Sequence, residues 1–444
     1  MRTHQHILAS LSLLAVSGGG AGAAHAVGTR ASTSLAFTAP LLRTVDVVDA
    51  THGWVARDTI LTTTDSGVTW RQQYPSAAPA LTIRPTVPRA PTAPVGPMHS
   101  LDMVSSDTGW LVTTHHVYVT HDGGTVWTPV LSVRGRAIAA TAFLTASTGW
   151  IATGTLTAPV AHILHTTDAG ATWTTAPATL PPIVFLSFPD PRDGWALASP
   201  QGLSGPQQAV DLFRSTDGGY TWTRVSARGL PLGGIKTGFI FQSARRGYLA
   251  VMSYAQRPIV LWRTGDGGET WSAASFPPYT WRQPAIASAQ APFLFPSGVV
   301  VPVTQRSALA PRAVEATETW RVALRPTTSS TWRLGQAVTF RTSAAADLAI
   351  PTSFISLEDG WAATPRGLLC TTDGGRQWRS ISATPLVTQA RQLEFVTSSI
   401  GWAVLHNGRV TKTTDGGRTW REQTSPPISR LWSRLALKVG AVTR

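Results

Sequence analysis

The stretch TTDGGRTW (Thr413–Trp420) is one of seven copies of a single pattern: Ser or Thr, any residue, Asp, any residue, Gly, two more residues, then Trp. The other copies read TTDSGVTW (Thr63–Trp70), THDGGTVW (Thr120–Trp127), TTDAGATW (Thr166–Trp173), STDGGYTW (Ser215–Trp222), TGDGGETW (Thr264–Trp271) and TTDGGRQW (Thr371–Trp378). The repeated acids are Asp65, Asp122, Asp168, Asp217, Asp266, Asp373 and Asp415. The closing aromatics are Trp70, Trp127, Trp173, Trp222, Trp271, Trp378 and Trp420. Successive aspartates lie 42 to 57 residues apart, except for 107 between Asp266 and Asp373. That gap is two repeats long. Within it RPTTSSTW (Arg325–Trp332) keeps the closing Thr-Trp but has Thr327 and Ser329 where Asp and Gly belong, and it reads as a decayed eighth copy. Self-similarity at this period marks a repeat architecture.

A second signature runs ahead of each box. An apolar anchor is followed six positions later by Gly and then an aromatic: Phe143 with Gly149-Trp150, Phe188 with Gly194-Trp195, Phe241 with Gly247-Tyr248, Phe354 with Gly360-Trp361 and Phe395 with Gly401-Trp402. Val47 with Gly53-Trp54 and Met103 with Gly109-Trp110 keep the same offset. The segments between these marks are short, rich in Val, Ile, Leu, Thr and Phe, and bounded by Gly, Asp, Ser and Pro, which is strand-and-hairpin grammar. Each unit parses as a strand ending at the anchor, a turn, a strand starting at Gly-Trp, a third strand, the box, and a fourth strand. Four strands per repeat of this length predict an all-β propeller of about eight four-stranded blades, the sixth degenerate, or seven if the decayed unit is an insertion. One blade cannot bury both faces alone, so stacked neighbours supply the core.

The box residues are turn-makers. Asp and Ser/Thr side chains accept nearby backbone N–H groups, Gly allows positive φ, and Trp offers a flat apolar face with one N–H to satisfy. Fourteen of the eighteen tryptophans fall at box closures or Gly-Trp positions, which points to core packing. The single cysteine, Cys370, precludes an intramolecular disulfide and reads as a small core residue in the third strand of its unit.

Residues 1–26 read as a signal peptide, with Arg2, the apolar run Ile7–Val16 and an Ala24-His25-Ala26 cleavage site. An extracytoplasmic location, secreted, periplasmic or at the cell surface, is therefore expected. The repeat region spans about residues 40–425. Within it residues 75–97 carry seven prolines and predict an extended insertion, and residues 426–444 form a basic tail. No apolar stretch is long enough for a transmembrane helix.

The net charge is +14, carried almost wholly by Arg, since Lys occurs only at 236, 412 and 438. Such a surface favours acidic partners: a protein or membrane-protein segment, or an anionic surface. No nucleic-acid motif accompanies it. A monomer is expected.

The boxes resemble the Asp-box or BNR repeat of sialidases, several glycoside hydrolases and non-enzymatic propellers. Together with the Gly-Trp hairpin, TTDGGxTW once per blade most resembles the photosystem II stability/assembly factor type. That resemblance implies a non-enzymatic lumenal or periplasmic propeller that binds a membrane-protein segment through a basic face. The alternative it leaves open is a glycan-active enzyme of the sialidase or glycoside hydrolase kind. A sialidase would bring an Arg-Ile-Pro type motif ahead of the first box, and LLRTVDVVDATHGWVARDTI before Asp65 contains none. A two-carboxylate glycosidase needs paired acids across a cleft, and the best non-box candidates are Asp46 and Asp49, flanking the first inner strand. His115 and His116, adjacent on one strand, point to opposite faces and do not converge as metal ligands. No catalytic set, cofactor or metal site is read, and the expectation is a chain that is not an enzyme.

Overall fold

The computed structural model describes residues 44–422 apart from 57–59, 66–68, 75–97, 125, 134, 155–159, 201–208, 255–258, 275, 277–285, 308–314, 344–348 and 407–408. The expected signal peptide, Pro-rich insertion and basic tail lie outside the described residues.

The described chain is nearly all antiparallel β, with one single-turn helix at Pro385–Thr388. No described helix is long and apolar enough to cross a membrane. The first unit runs Thr44–Val47, Gly53–Ala56, Ile60–Thr63 and Arg71–Tyr74, hydrogen-bonded in chain order as a four-stranded meander. The units that begin at Met98–Met103, Ala137–Phe143, Ile183–Ser187, Thr352–Phe354 and Ala390–Phe395 repeat this order. The fifth and sixth units share one ten-stranded sheet. Ile235–Phe241, Gly247–Ser253, Leu261–Thr264 and Ser272–Ala273 form one four-stranded run in it, and Phe293–Phe295, Gly298–Arg306, Glu315–Pro326 and Arg333–Leu334 form another. Ile286–Ala289 bridges the two, and Val338–Ser343 pairs with the long strand Glu315–Pro326. The propeller class read from the repeats is the architecture observed, with two adjacent units fused where the eight-or-seven count was already ambiguous.

The six-residue offset has a steric cause. Anchor and glycine are Cα partners across the first hairpin of a unit, as in Phe143↔Gly149, Phe241↔Gly247 and Phe395↔Gly401. The anchor ring lies over the glycine so closely that a Cβ at Gly247 would sit 2.8 Å from Phe241, and one at Gly401 2.7 Å from Phe395. Only glycine fits beneath.

The aromatic after that glycine joins one unit to the next. Trp150 stacks on Phe188 at 3.7 Å between ring centroids, Trp195 on Phe241 at 3.8 Å, Trp361 on Phe395 at 4.0 Å and Trp110 on Phe143 at 4.6 Å. Its indole Nε1 donates to a box carbonyl of the following unit: Trp54 to Gly123 (2.9 Å), Trp150 to Gly218 (2.7 Å), Trp195 to Gly267 (2.9 Å) and Trp361 to Gly416 (3.0 Å). The box tryptophan then meets the same anchor edge-on, as Trp222 meets Phe188, Trp271 meets Phe241 and Trp420 meets Phe395. At the junctions built on Phe188, Phe241 and Phe395 the anchor thus lies between two aromatics with a hydrogen bond at the rim, geometry that adds to simple area burial.

The decayed box breaks this scheme and is compensated. Where other units present Asp and Gly, Ser329 pairs with Thr331, and the N–H of Thr327 reaches the carbonyl of Ser297. The preceding unit carries Tyr248 in place of Trp. Arg325, at the first box position, donates to the Tyr248 hydroxyl and lies over the rings of Tyr248 (5.9 Å) and Trp332 (5.5 Å). A phenol accepts where an indole donates, so losing the box glycine and losing the Trp go together.

The ring is closed between first and last units. The inner strand Thr44–Val47 packs beside Met98–Met103 on one side and Ala390–Phe395 on the other. Val47, Val55, Leu61 and Trp70 share a core cluster with Trp402, Val404 and Val410.

Candidate functional site

The residue immediately before each anchor occupies one equivalent place on every inner strand: Asp46, Asp102, Ala142, Ser187, Ile240, Leu294, Ser353 and Glu394. At four of these positions the side chain accepts an N–H from the inner strand of the next unit. Ser187 Oγ accepts the N–H of Phe241 at 2.8 Å, Ser353 Oγ that of Phe395 at 2.9 Å, and Asp46 Oδ2 that of Met103 at 2.5 Å. Glu394 likewise takes the N–H of Val47, across the ring closure. Three carboxyls therefore fall on the last, first and second units in succession, an acidic arc at the junction where the chain closes on itself.

Asp46 is fully buried, and its Oδ1 has no hydrogen-bond partner among the described residues. Burial pushes its carboxyl up to about 7, against the opposing N–H groups of Met103 and Val47. Burial, and then the charge of Asp46, also hold Asp102 and Glu394 well above the ordinary carboxylate range. Both keep partial solvent contact. Among the described residues no group of three or more His, Cys, Asp and Glu is placed to hold a metal ion.

Of the two acids singled out from sequence, only Asp46 belongs to it. Asp49 caps its own turn, accepting the N–H groups of Thr51 (2.7 Å) and His52 (2.8 Å). Burial raises its carboxyl, and the hydrogen bonds outweigh this to bring it to about 2. Sequence reading missed Asp102 and Glu394. The signal was present: both precede an anchor, as Asp46 does. His115 and His116 make separate contacts, His115 Nδ1 with the Arg136 carbonyl at 2.6 Å and His116 with the Tyr118 ring. Cys370 is half-buried opposite Trp361, with its thiol pushed up by burial.

The box aspartates are bound into their own hairpins. In the last box Asp415 accepts the Thr413 hydroxyl (2.8 Å), the Thr419 N–H (2.9 Å) and the Thr419 hydroxyl (2.6 Å), while Thr413 Oγ1 accepts the Gly417 N–H (2.8 Å). Asp168 and Asp217 repeat the set. These oxygens are occupied within their turns.

A second polar feature lies between the fourth and fifth units. A cavity of about 520 Å³ is lined by Arg214, Arg224, Arg228, Thr221, Ser226 and Glu269, among others. Arg214 is held by Asp193 at 3.0 Å and lies over the Trp195 ring at 5.3 Å, and Arg224 is held by Asp211 at 2.6 Å. Arg228 is exposed, but its backbone is pinned to the next box: its N–H donates to the Glu269 carbonyl (2.9 Å) and its carbonyl accepts the Trp271 N–H (2.8 Å). Three arginines thus line one groove, set by strand, turn and ion pair. The groove lies apart from the acidic arc, on the outer strands of its units.

No family model and no curated protein matches the chain. Solved structures similar to it include YCF48 bound to D1 peptide, at 17 % identity over 76 % of this chain and 97 % of that one, with a TM-score of 0.44. They also include a GH74 enzyme from Niastella koreensis, at 13 % identity over 86 % and 78 % of the two chains with a TM-score of 0.38. A PL25 ulvan lyase matches at 12 % identity over 62 % and 80 %, with a TM-score of 0.41. The resemblance read from the boxes, to assembly-factor propellers and to glycoside hydrolases, is repeated among these structures; at such identities and TM-scores it bears on no functional role. The expectation that the chain is not an enzyme is corrected here. Structures similar to it include glycoside hydrolases and a polysaccharide lyase.

Proposed function

We propose that this chain is an exported propeller that binds an acidic segment of a protein or membrane-protein partner. The observation that carries the reading is the groove lined by Arg214, Arg224 and Arg228. Guanidinium forks suit carboxylate recognition, and Asp193 and Asp211 fix two of them in place without using all of their donors. The net charge of +14 adds long-range attraction for the same class of ligand. Binding should be steered electrostatically and weaken with salt. Retention of the mature chain on an acidic peptide or on membrane fractions is expected at low salt and lost by about 0.5 M, where the Debye length is only a few ångströms. The double variant Arg224→Glu with Arg228→Glu should abolish retention, and Asp415→Ala should not. Capture that persists in high salt, or that ignores the double variant, rejects the reading.

A second reading is favoured by one observation. Asp46 lies close enough to Asp102 and to Glu394 that its charge raises both. A carboxyl held protonated beside an ionised one is the pairing that acid–base hydrolysis of glycans uses. Turnover of aryl-glycosides or of a polysaccharide, abolished by Asp102→Asn or Glu394→Gln, would establish it. Absence of turnover across both substrate classes removes it.

A further inference from the structure

At four places the residue before an anchor receives the N–H of the next unit's anchor, in one of two ways. In the fourth and seventh units a serine hydroxyl receives the next anchor N–H, and in the first and last units a carboxyl does. We propose that the acidic arc is a proton-dependent clasp: a proton shared between Asp46 and a flanking carboxyl, of Asp102 or Glu394, holds the first unit against its two neighbours, and its loss loosens that junction alone.

The geometry leaves a vacancy that a proton fills. Asp46 Oδ2 is used by Met103, while Oδ1 is buried without a partner. A protonated neighbouring carboxyl supplies the missing donor, and an unmet buried acceptor is costly. Without the proton, enclosed like charges sit on strands that must touch. The strands packed on the arc, Gly53–Ala56, Gly109–Thr113, Gly401–Leu405 and Thr352–Phe354, carry no charged residue. His99 shares the strand of Asp102. Arg391 shares that of Glu394 but is exposed, at the bulge. Asp359, on the strand packed against Ala390–Phe395, accepts the Ser356 hydroxyl at 3.1 Å.

The sign follows from proton linkage. Asp46 is raised from 3.8 to about 7 in the fold. Between those values the folded state binds more protons than the unfolded chain, so the clasp weakens as pH rises through that window. Ser187 and Ser353 make the same contact without titrating, which gives the molecule an internal control.

Hydrogen exchange of the full chain, read at the amides of Val47 and Met103 relative to Phe241 and Phe395, tests the clasp. Taking the ratio at each pH cancels the intrinsic pH dependence of exchange. Relative protection of Val47 and Met103 should fall by about tenfold or more between pH 5 and 8, as a local opening does. In Asp46→Asn the ratio should be flat. If that variant does not fold, the double variant Asp102→Asn with Glu394→Gln gives the same readout. A ratio constant with pH in the native chain, or one that keeps its pH dependence in the variants, overturns the proposal. The outcome is independent of the arginine groove, whose partner binding is measured separately.

Discussion

At the scale of single residues, the boxes show how a turn sequence is dictated by backbone angles and hydrogen-bond supply. The residue after the box Asp is glycine with φ of 67° to 78° at Gly123, Gly218, Gly267, Gly374 and Gly416, but in the third box it is Ala169 at φ 58°. A Cβ is strained there, so Ala169→Gly should stabilise by about 1 kcal/mol, checked by chemical denaturation. Asp415→Ala removes three hydrogen bonds from a partly exposed turn and should cost about 0.5–2 kcal/mol, by analogy with a lost side-chain cap. Burial raises the Asp415 carboxyl, yet the bonds from Thr419 and Thr413 bring it to about 2. Its contribution is therefore present above about pH 4 and lost as pH falls toward 2, and the acid limb of unfolding should shift in the variant.

At the scale of strands and sheets, the unit of cohesion is the aromatic sandwich between units. Trp150 stacks between His165 at 4.7 Å and Phe188 at 3.7 Å while donating to Gly218. Trp150→Ala should cost about 3–5 kcal/mol, seen as a lower denaturant midpoint. Most of this level was legible in the sequence, because the box and the six-residue offset each record a local constraint: a turn, and a ring over a glycine. The fusion of the fifth and sixth units was not legible. It depends on Met252 and Ser253 pairing with Ser288 and Ala287, a long-range choice with no local mark. The acidic arc was legible only in part. Asp46 stood out as an acid without a box, but Asp102 and Glu394 become its neighbours only when three units separated along the chain meet at the closure.

At the scale of the whole molecule, two populations of carboxyl act in opposite directions on stability. The box aspartates favour folding above about pH 4, and the arc disfavours it as pH climbs toward about 7. The melting temperature should therefore peak in mildly acidic buffer and decline toward pH 8, and Asp46→Asn should flatten only the upper side; calorimetry across pH checks both. The closure also has a consequence for connectivity. Among the described residues every four-stranded run is completed by consecutive strands, and the first unit borrows none from the last. The seam between them is held by side chains and by a carboxyl on an amide, not by a shared sheet. The numbering origin of the ring is thus arbitrary in a mechanical sense. A circular permutant that links residue 422 to residue 44 and opens between Thr175 and Ile183 cuts between units and should fold as the parent does. One opened between Ala198 and Asp211 divides a unit between the two new ends, and its fourth unit should fray.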